Sequence, residues 1–279
     1  MAIKDLAVAY NDSSNSKAAL AFALQMCRKY DAALSGLHVR LPLNLEPQVR
    51  RWMPKEVHES LVKAGDEAVA EIEAGFREAV AASGFAGEVA WHVEEGQTNE
   101  HLARLARFHD LLVIGQFSEA GDNKRLRVRA EDLVLRSGKP LIVVPNGYEV
   151  RPFQEFAAVA WDGSRPAARA LSDAMQILET KKRLDVVRVA APGHGTPPSV
   201  PPGRDILRHL ARHGIEAKRV RLSAAKDGIG AAILDHCAQS QPDVLVMGAY
   251  GHARLREDLF GGVTRHILQH MNVPVLMAH

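Results

Sequence analysis

Cysteine is nearly absent from this sequence: Cys27 and Cys237 are the two in 279 residues. Two thiols cannot make a disulfide scaffold. Both fall in helix-like runs, so they read as free buried thiols in a reducing compartment. Charge of one sign is also missing. Against 35 Lys and Arg stand 33 Asp and Glu, a formal net charge of +2, which gives no overall field to hold nucleic acid. The short basic run from Lys124 to Arg129 reads as a solvated face. No apolar run approaches the roughly 20 residues that span a bilayer, so no membrane partner is expected. Met1-Ala-Ile-Lys-Asp5 lacks the anatomy of a signal peptide, and the expectation is a cytoplasmic protein. Catalytic signatures are absent too: no Gly-x-Ser-x-Gly elbow, no catalytic cysteine signature and no P-loop of the form Gly-x-x-x-x-Gly-Lys-Ser/Thr.

What is present is a repeat. A 47% hydrophobic and 24% charged composition is that of a globular chain, long enough for two domains with their own cores. Ala7-Val-Ala-Tyr-Asn-Asp-Ser13 lies over Ala158-Val-Ala-Trp-Asp-Gly-Ser164. Asp110-Leu-Leu-Val-Ile-Gly115 lies over Asp243-Val-Leu-Val-Met-Gly248, and Gly138-Lys-Pro-Leu-Ile-Val-Val144 over the stretch beginning Asn272-Val-Pro274. This internal duplication predicts two tandem domains, 1–147 and 151–279. The first carries a longer loop and helix between Leu41 and Phe85. Within each half, short apolar runs alternate with helical patterns. That predicts an α/β fold, a five-stranded parallel sheet per domain flanked by helices, with strand order 3-2-1-4-5. The longest helical pattern, about Glu56 to Ala82, has Val57, Leu61, Ala64, Ala68, Ile72 and Phe76 as an inward stripe.

The chemistry concentrates between Asp243 and Leu268. The buried-strand run Val244 to Met247 is followed by Gly248 and Gly251, then by Gly261, Gly262, Val263 and Thr264 at the start of an amphipathic helix. Single glycines usually just make turns. Four at one strand-to-helix crossover, with Arg254 and Arg256 between them, suit a phosphate instead. Glycines let backbone N–H groups come close, and a helix N-terminus supplies free donors and partial positive charge. Asp162, just after the first strand of its half, is expected at the same crevice, where strand order reverses. Weaker signals read as structure. Gly228-Ile-Gly230 is a helix-entry turn, since Ile233 occupies the third glycine position of a dinucleotide fingerprint. His266 and His270 have metal-ligand spacing without a further ligand clustered beside them.

Gly-x-x-Gly, nine residues, then Gly-x-Val-Thr, with an Asp-Gly-Ser turn after the first strand and a closing Pro-Val-Leu strand, resembles the universal stress protein family. The resemblance spans essentially the whole chain as two tandem copies. It implies flavodoxin-like (Rossmann-like) domains whose fifth strands pair, and binding of ATP, with ADP or AMP as alternatives. Carried over by residue, it places Asp162 by the adenine and ribose and the Val189 backbone at the base. Gly248 and Gly251 would lie by the ribose and phosphates, and Gly261, Gly262, Val263 and Thr264 around the phosphates. Gly262 stands where the family usually has Ser or Thr, which predicts binding weakened by about 1 kcal/mol. In the first copy Asn11 replaces the aspartate, Ser118 the second glycine and Arg127-Val128 the glycine pair. That copy is expected to bind no nucleotide in this way and to serve in pairing or regulation.

Three functions stay open at this point. The leading one is a stress-response module that binds an adenine nucleotide in its second domain and acts through unidentified protein partners. A slow Mg²⁺-dependent ATPase, with Mg²⁺ beside Glu257 and Asp258, is the second. A nucleotide-free scaffold is the third. The tandem copies form an internal pseudo-dimer, with a homodimer of the whole chain left open.

Overall fold

The computed structural model describes residues 3–43, 51–117, 128–190, 205–224, 226–250 and 262–279. The short apolar runs are strands: β1 (Asp5–Ala9), β2 (Ala33–Arg40), β3 (Val89–Glu95), β4 (Leu111–Gly115) and β5 (Leu141–Val144), then β6 (Phe156–Ala160), β7 (Arg183–Ala190), β8 (Ala217–Ser223), β9 (Val244–Gly248) and β10 (Val275–Ala278). The helices among the described residues are α1 (Ser14–Tyr30), α2 (Lys55–Ala82), α3 (Thr98–Ala106), α4 (Ala130–Arg136), α5 (Arg165–Leu178), α6 (Ile206–Arg212), α7 (Ile229–Ser240) and α8 (Gly262–His270). Helices α1, α2, α5 and α6 contribute to the core on one face of the sheet, and α3, α4, α7 and α8 to that on the other. Covered on both faces, β4, β5, β9 and β10 need no polar alternation, hence their unbroken apolar sequences.

All ten strands form one sheet of order β3-β2-β1-β4-β5-β10-β9-β6-β7-β8. Each half has the expected 3-2-1-4-5 order, parallel throughout. The halves meet at β5 and β10, which pair antiparallel with Val143 opposite Val275 and Leu141 opposite Met277. Each fifth strand alone would present a row of unpaired backbone groups, and the duplication supplies its partner within the chain. The outermost strands, β3 and β8, carry Glu94, Glu95, Lys218, Arg219 and Arg221, charges that discourage further edge pairing.

The same local devices recur in both halves. Ser13 caps α1 by accepting from the Ser16 amide at 3.2 Å, and Ser164 caps α5 by accepting from the Ala167 amide at 3.3 Å. Asp110 accepts from the Lys4 and Asp5 amides at 2.8 and 3.1 Å. Its counterpart Asp243 accepts from the Gln154 and Phe156 amides at 2.9 and 3.2 Å. Each aspartate thus ties the entry of the fourth strand of its half to the entry of the first.

Asp243 also anchors a cluster between the halves. Lys181 Nζ lies 2.8 Å from its carboxylate, both side chains 3% exposed, and 3.6 Å from Glu155, which in turn bonds Lys29 of α1. The Phe153 ring lies under both ammonium groups, 5.3 Å from Lys29 and 5.0 Å from Lys181. Burial pulls the Lys29 pKa below the ordinary lysine value, against the opposing pull of Glu155. Ion pairing and the ring together offset the cost of burying these charges.

The expected inward stripe of α2 holds only at its C-terminal end. Phe76 and Val80 are buried, while Val57 and Leu61 are 46% and 39% exposed. Its first turns meet solvent on the apolar side as well. Arg40 at the end of β2 holds its middle through Asp66 at 2.6 Å.

Candidate functional site

Strands β6 and β9 are neighbours in the second half, yet the chain leaves β6 toward β7 on one side and β9 toward β10 on the other. This is the switch point of the sheet, and ligands of open α/β sheets sit beyond the strand C-termini at such a place. Asp162 lies two residues beyond β6. Its Oδ1 accepts from the Ser164 amide at 2.8 Å, and Gly163 turns between them with φ of 80°. The carboxylate is therefore part of the turn that starts α5. Val189 is near the end of β7, in register with Leu222 of β8.

Gly248 ends β9. A Cβ built on it would lie 2.4 Å from both the Ala167 nitrogen and the Pro166 carbonyl carbon, so the first turn of α5 alone requires glycine here. Gly262 opens α8 and differs: its Cβ direction meets no atom of the described residues within 4 Å. Val263 is half-buried. Thr264 is 4% exposed, on the inward side of the helix, where it packs into the protein. Gly251 and Gly261 lie outside the described residues, as do Arg254, Arg256, Glu257 and Asp258.

The first half repeats the geometry with altered chemistry. Asn11 Oδ1 accepts from the Ser13 amide at 3.2 Å and from the Ser13 hydroxyl at 2.7 Å, the turn Asp162 makes in the second half. Asp12, with φ of 62°, takes the place of Gly163. It receives the Tyr10 hydroxyl at 2.9 Å and lies 3.0 Å from Lys17. Burial would raise its pKa, but these two partners outweigh that and hold the carboxyl below the usual range. Gly115 matches Gly248, a Cβ there falling 2.3 Å from the Asn15 carbonyl oxygen. Val128, at the glycine-pair position, lines a cavity of about 310 Å³ in this crevice. Ser118 and Arg127 lie outside the described residues.

Sequence reasoning missed two residues here. Gln116 follows Gly115 and reaches across the halves. It donates to the Leu268 and Gln269 carbonyls at 2.8 and 3.2 Å, and accepts from the Asn146 amide at 3.0 Å. Its α8 contacts are at the far end of the helix that Gly262 opens. Tyr250, two residues past β9, has φ of 59° and a buried hydroxyl with no hydrogen-bond partner among the described residues. Burial, with Glu131 and Asp132 nearby, pushes its pKa up. No periodic signal marks either residue; both are loop positions set by tertiary contact.

Other candidates are quiet. The rings of His266 and His270 stack at 4.5 Å, and His270 Nδ1 lies 3.0 Å from the His266 carbonyl oxygen. Among the described residues no group of three His, Cys, Asp or Glu could hold a metal ion. Gly228 is the helix-entry residue before α7, with φ of 95°. Cys27 and Cys237 are free and buried, and burial pushes both thiols up to about 12, so neither is a nucleophile. Among the described residues no helix is long and apolar enough to cross a membrane.

Comparison with known proteins places this geometry. The model of the universal stress protein family matches residues 2–145 and again 157–279. A universal stress protein from Archaeoglobus fulgidus DSM 4304 superposes with a TM-score of 0.72 at 18% identity, covering 98% of this chain and 97% of its own. A Pseudomonas aeruginosa PAO1 protein of unknown function gives 0.56 at 15% identity, covering 99% of this chain and 92% of its own. A universal stress protein solved in complex with cAMP is 20% identical, with a TM-score of 0.40, covering 53% of this chain and 100% of its own. Comparison with curated proteins gives no match.

Proposed function

The chain belongs to the universal stress protein family, and from that premise we propose that its second half binds an adenine nucleotide, ATP first among them, as the input of a regulatory module. The observation that carries this reading is the contrast between the two glycine-pair positions. Gly262 opens α8 with no described residue within 4 Å of its Cβ direction, while the first half has Val128 at the matching sequence position, its side chain lining the crevice. A phosphate at the second-half crevice would meet the first amides of α8 and the positive end of its dipole. Asp162, already fixed by the Ser164 amide, would accept from the ribose hydroxyls, and the Val189 backbone would face the base. Gly251, Gly261 and the backbone amides of Val263 and Thr264 complete the assignment around the sugar and phosphates, the Thr264 side chain being turned inward.

No general base is assigned, so the role is binding; protein partners would read the bound state, and Mg²⁺ is a companion of the triphosphate. The test is equilibrium dialysis of labelled ATP against nucleotide-stripped protein, with phosphate release followed in the same chambers. Retention without release is expected. Release proportional to protein would replace the binder with a slow ATPase, and no retention by folded protein would leave a scaffold.

A further inference from the structure

The apolar side of α2 consists of two lines. Phe76 and Val80 are in the core and Ile72 packs against it. At about 3.6 residues per turn that line continues toward the N-terminus through Val69 and Val62. Val57, Leu61, Ala64 and Ala68 stand off to one side of it, roughly 60–120° round the helix from Phe76. All four are exposed, and none belongs to the core among the described residues. Their spacing of four, three and four is that of a seam through which two helices interlock their side chains.

The order of residues along the seam says what fits it. Two larger side chains, Val57 and Leu61, precede two alanines. In an antiparallel pair of identical helices centred between Leu61 and Ala64, Leu61 of each faces Ala64 of the other and Val57 faces Ala68. Every large side chain then meets a small one. A parallel pair would set leucine on leucine and leave alanine against alanine. Charge agrees with the antiparallel order. Pro54 at the cap position of α2 makes no side-chain cap bond, so the positive end of the helix dipole is open. The pairing brings Glu71 of one helix beside that end and Lys55 of the other. Ser60 and Glu67 flank the seam on one side, His58 and Gly65 on the other, so no like charges meet across it.

We propose that α2 is a self-association surface, through which two copies of the chain pair about a two-fold axis with their α2 helices antiparallel. Strands β5 and β10 are already paired within the chain and are not available for this. A four-residue seam is at the small end of specific interfaces, so the dimer is a reversible one. The surface does not depend on the nucleotide reading of the second half.

The test is sedimentation velocity of the full chain over a rising concentration series, with cross-linking to fix the direction of pairing. A concentration-dependent dimer is expected. Leu61→Glu, shown to be folded by its melting curve, should weaken it at least about tenfold. Ala64→Leu should weaken it too, because leucine then faces leucine, and combining Leu61→Ala with Ala64→Leu should restore it. Cys27 and Cys237 are buried, so introduced thiols report alone. Val57→Cys mixed with Ala68→Cys should give a disulfide-linked pair with diamide, and neither variant should do so by itself. The proposal is overturned by a chain monomeric throughout the series, or by association that Leu61→Glu leaves undiminished or Ala64→Leu strengthens. An exchange that fails to restore the pair, a mixture that does not cross-link, or Val57→Cys cross-linking to itself would overturn it equally.

Discussion

Asp243 has three tasks at once: it receives two backbone amides, pairs with Lys181 and joins the cluster that ties α1 to the second half. Removing it leaves Lys181 buried beside Glu155 alone. We expect Asp243→Ala to cost about 3–5 kcal/mol in urea denaturation; a loss under about 1 kcal/mol would show the pair to be ornamental. His38 acts on stability through pH. Its folded-state pKa is lowered by burial, so the unfolded chain takes up the proton first as pH falls. Its contribution is intact above the unfolded value near ~6.5 and is lost as pH drops from there toward the folded value. Between about pH 7.5 and about pH 5.5 the wild type should lose more stability than His38→Gln, and parallel profiles would contradict this.

Among the elements, two glycines that look alike in sequence have different physical reasons. Gly248 is required by the first turn of α5, so Gly248→Ala should cost about 1–3 kcal/mol whether or not a nucleotide is present. The Cβ direction of Gly262 meets none of the described residues, and Gly262→Ser should leave thermal stability unchanged while tightening nucleotide binding several-fold, about 1 kcal/mol. Equal destabilisation by both would remove the distinction. Helix α2 divides the same way along its length. Phe76→Ala should cost about 3–5 kcal/mol and Leu61→Ser less than about 0.5 kcal/mol, because Phe76 is buried and Leu61 is 39% exposed. The apolar period of α2 was legible in the sequence, but the point along it where burial begins was not. Periodicity reports which side of a helix is apolar and carries no information on how much of that side is covered.

At the scale of the whole molecule, the duplication could be read from two Asp-led strands and two Ser-capped turns, and with it the strand order of each half. The crossing between halves could not. Gln116, Lys29 and Phe153 meet partners more than a hundred residues away in sequence or on the other domain, and nothing local marks them. Their consequence is testable. Expressed apart, 1–147 and 151–279 would expose β5 and β10. Light scattering should find each self-associated, and mixing them should restore a one-to-one complex; two stable monomers would contradict the single-sheet account.

The most direct measurement for the central claim is calorimetric titration of Mg-ATP into nucleotide-stripped full-length protein, with Gly262→Arg as control. Saturable heat at about one site per chain, absent from a folded Gly262→Arg, is the predicted result. Folded wild-type protein that takes up no ATP, or a control that binds as well as wild type, would contradict a nucleotide site at the N-terminus of α8.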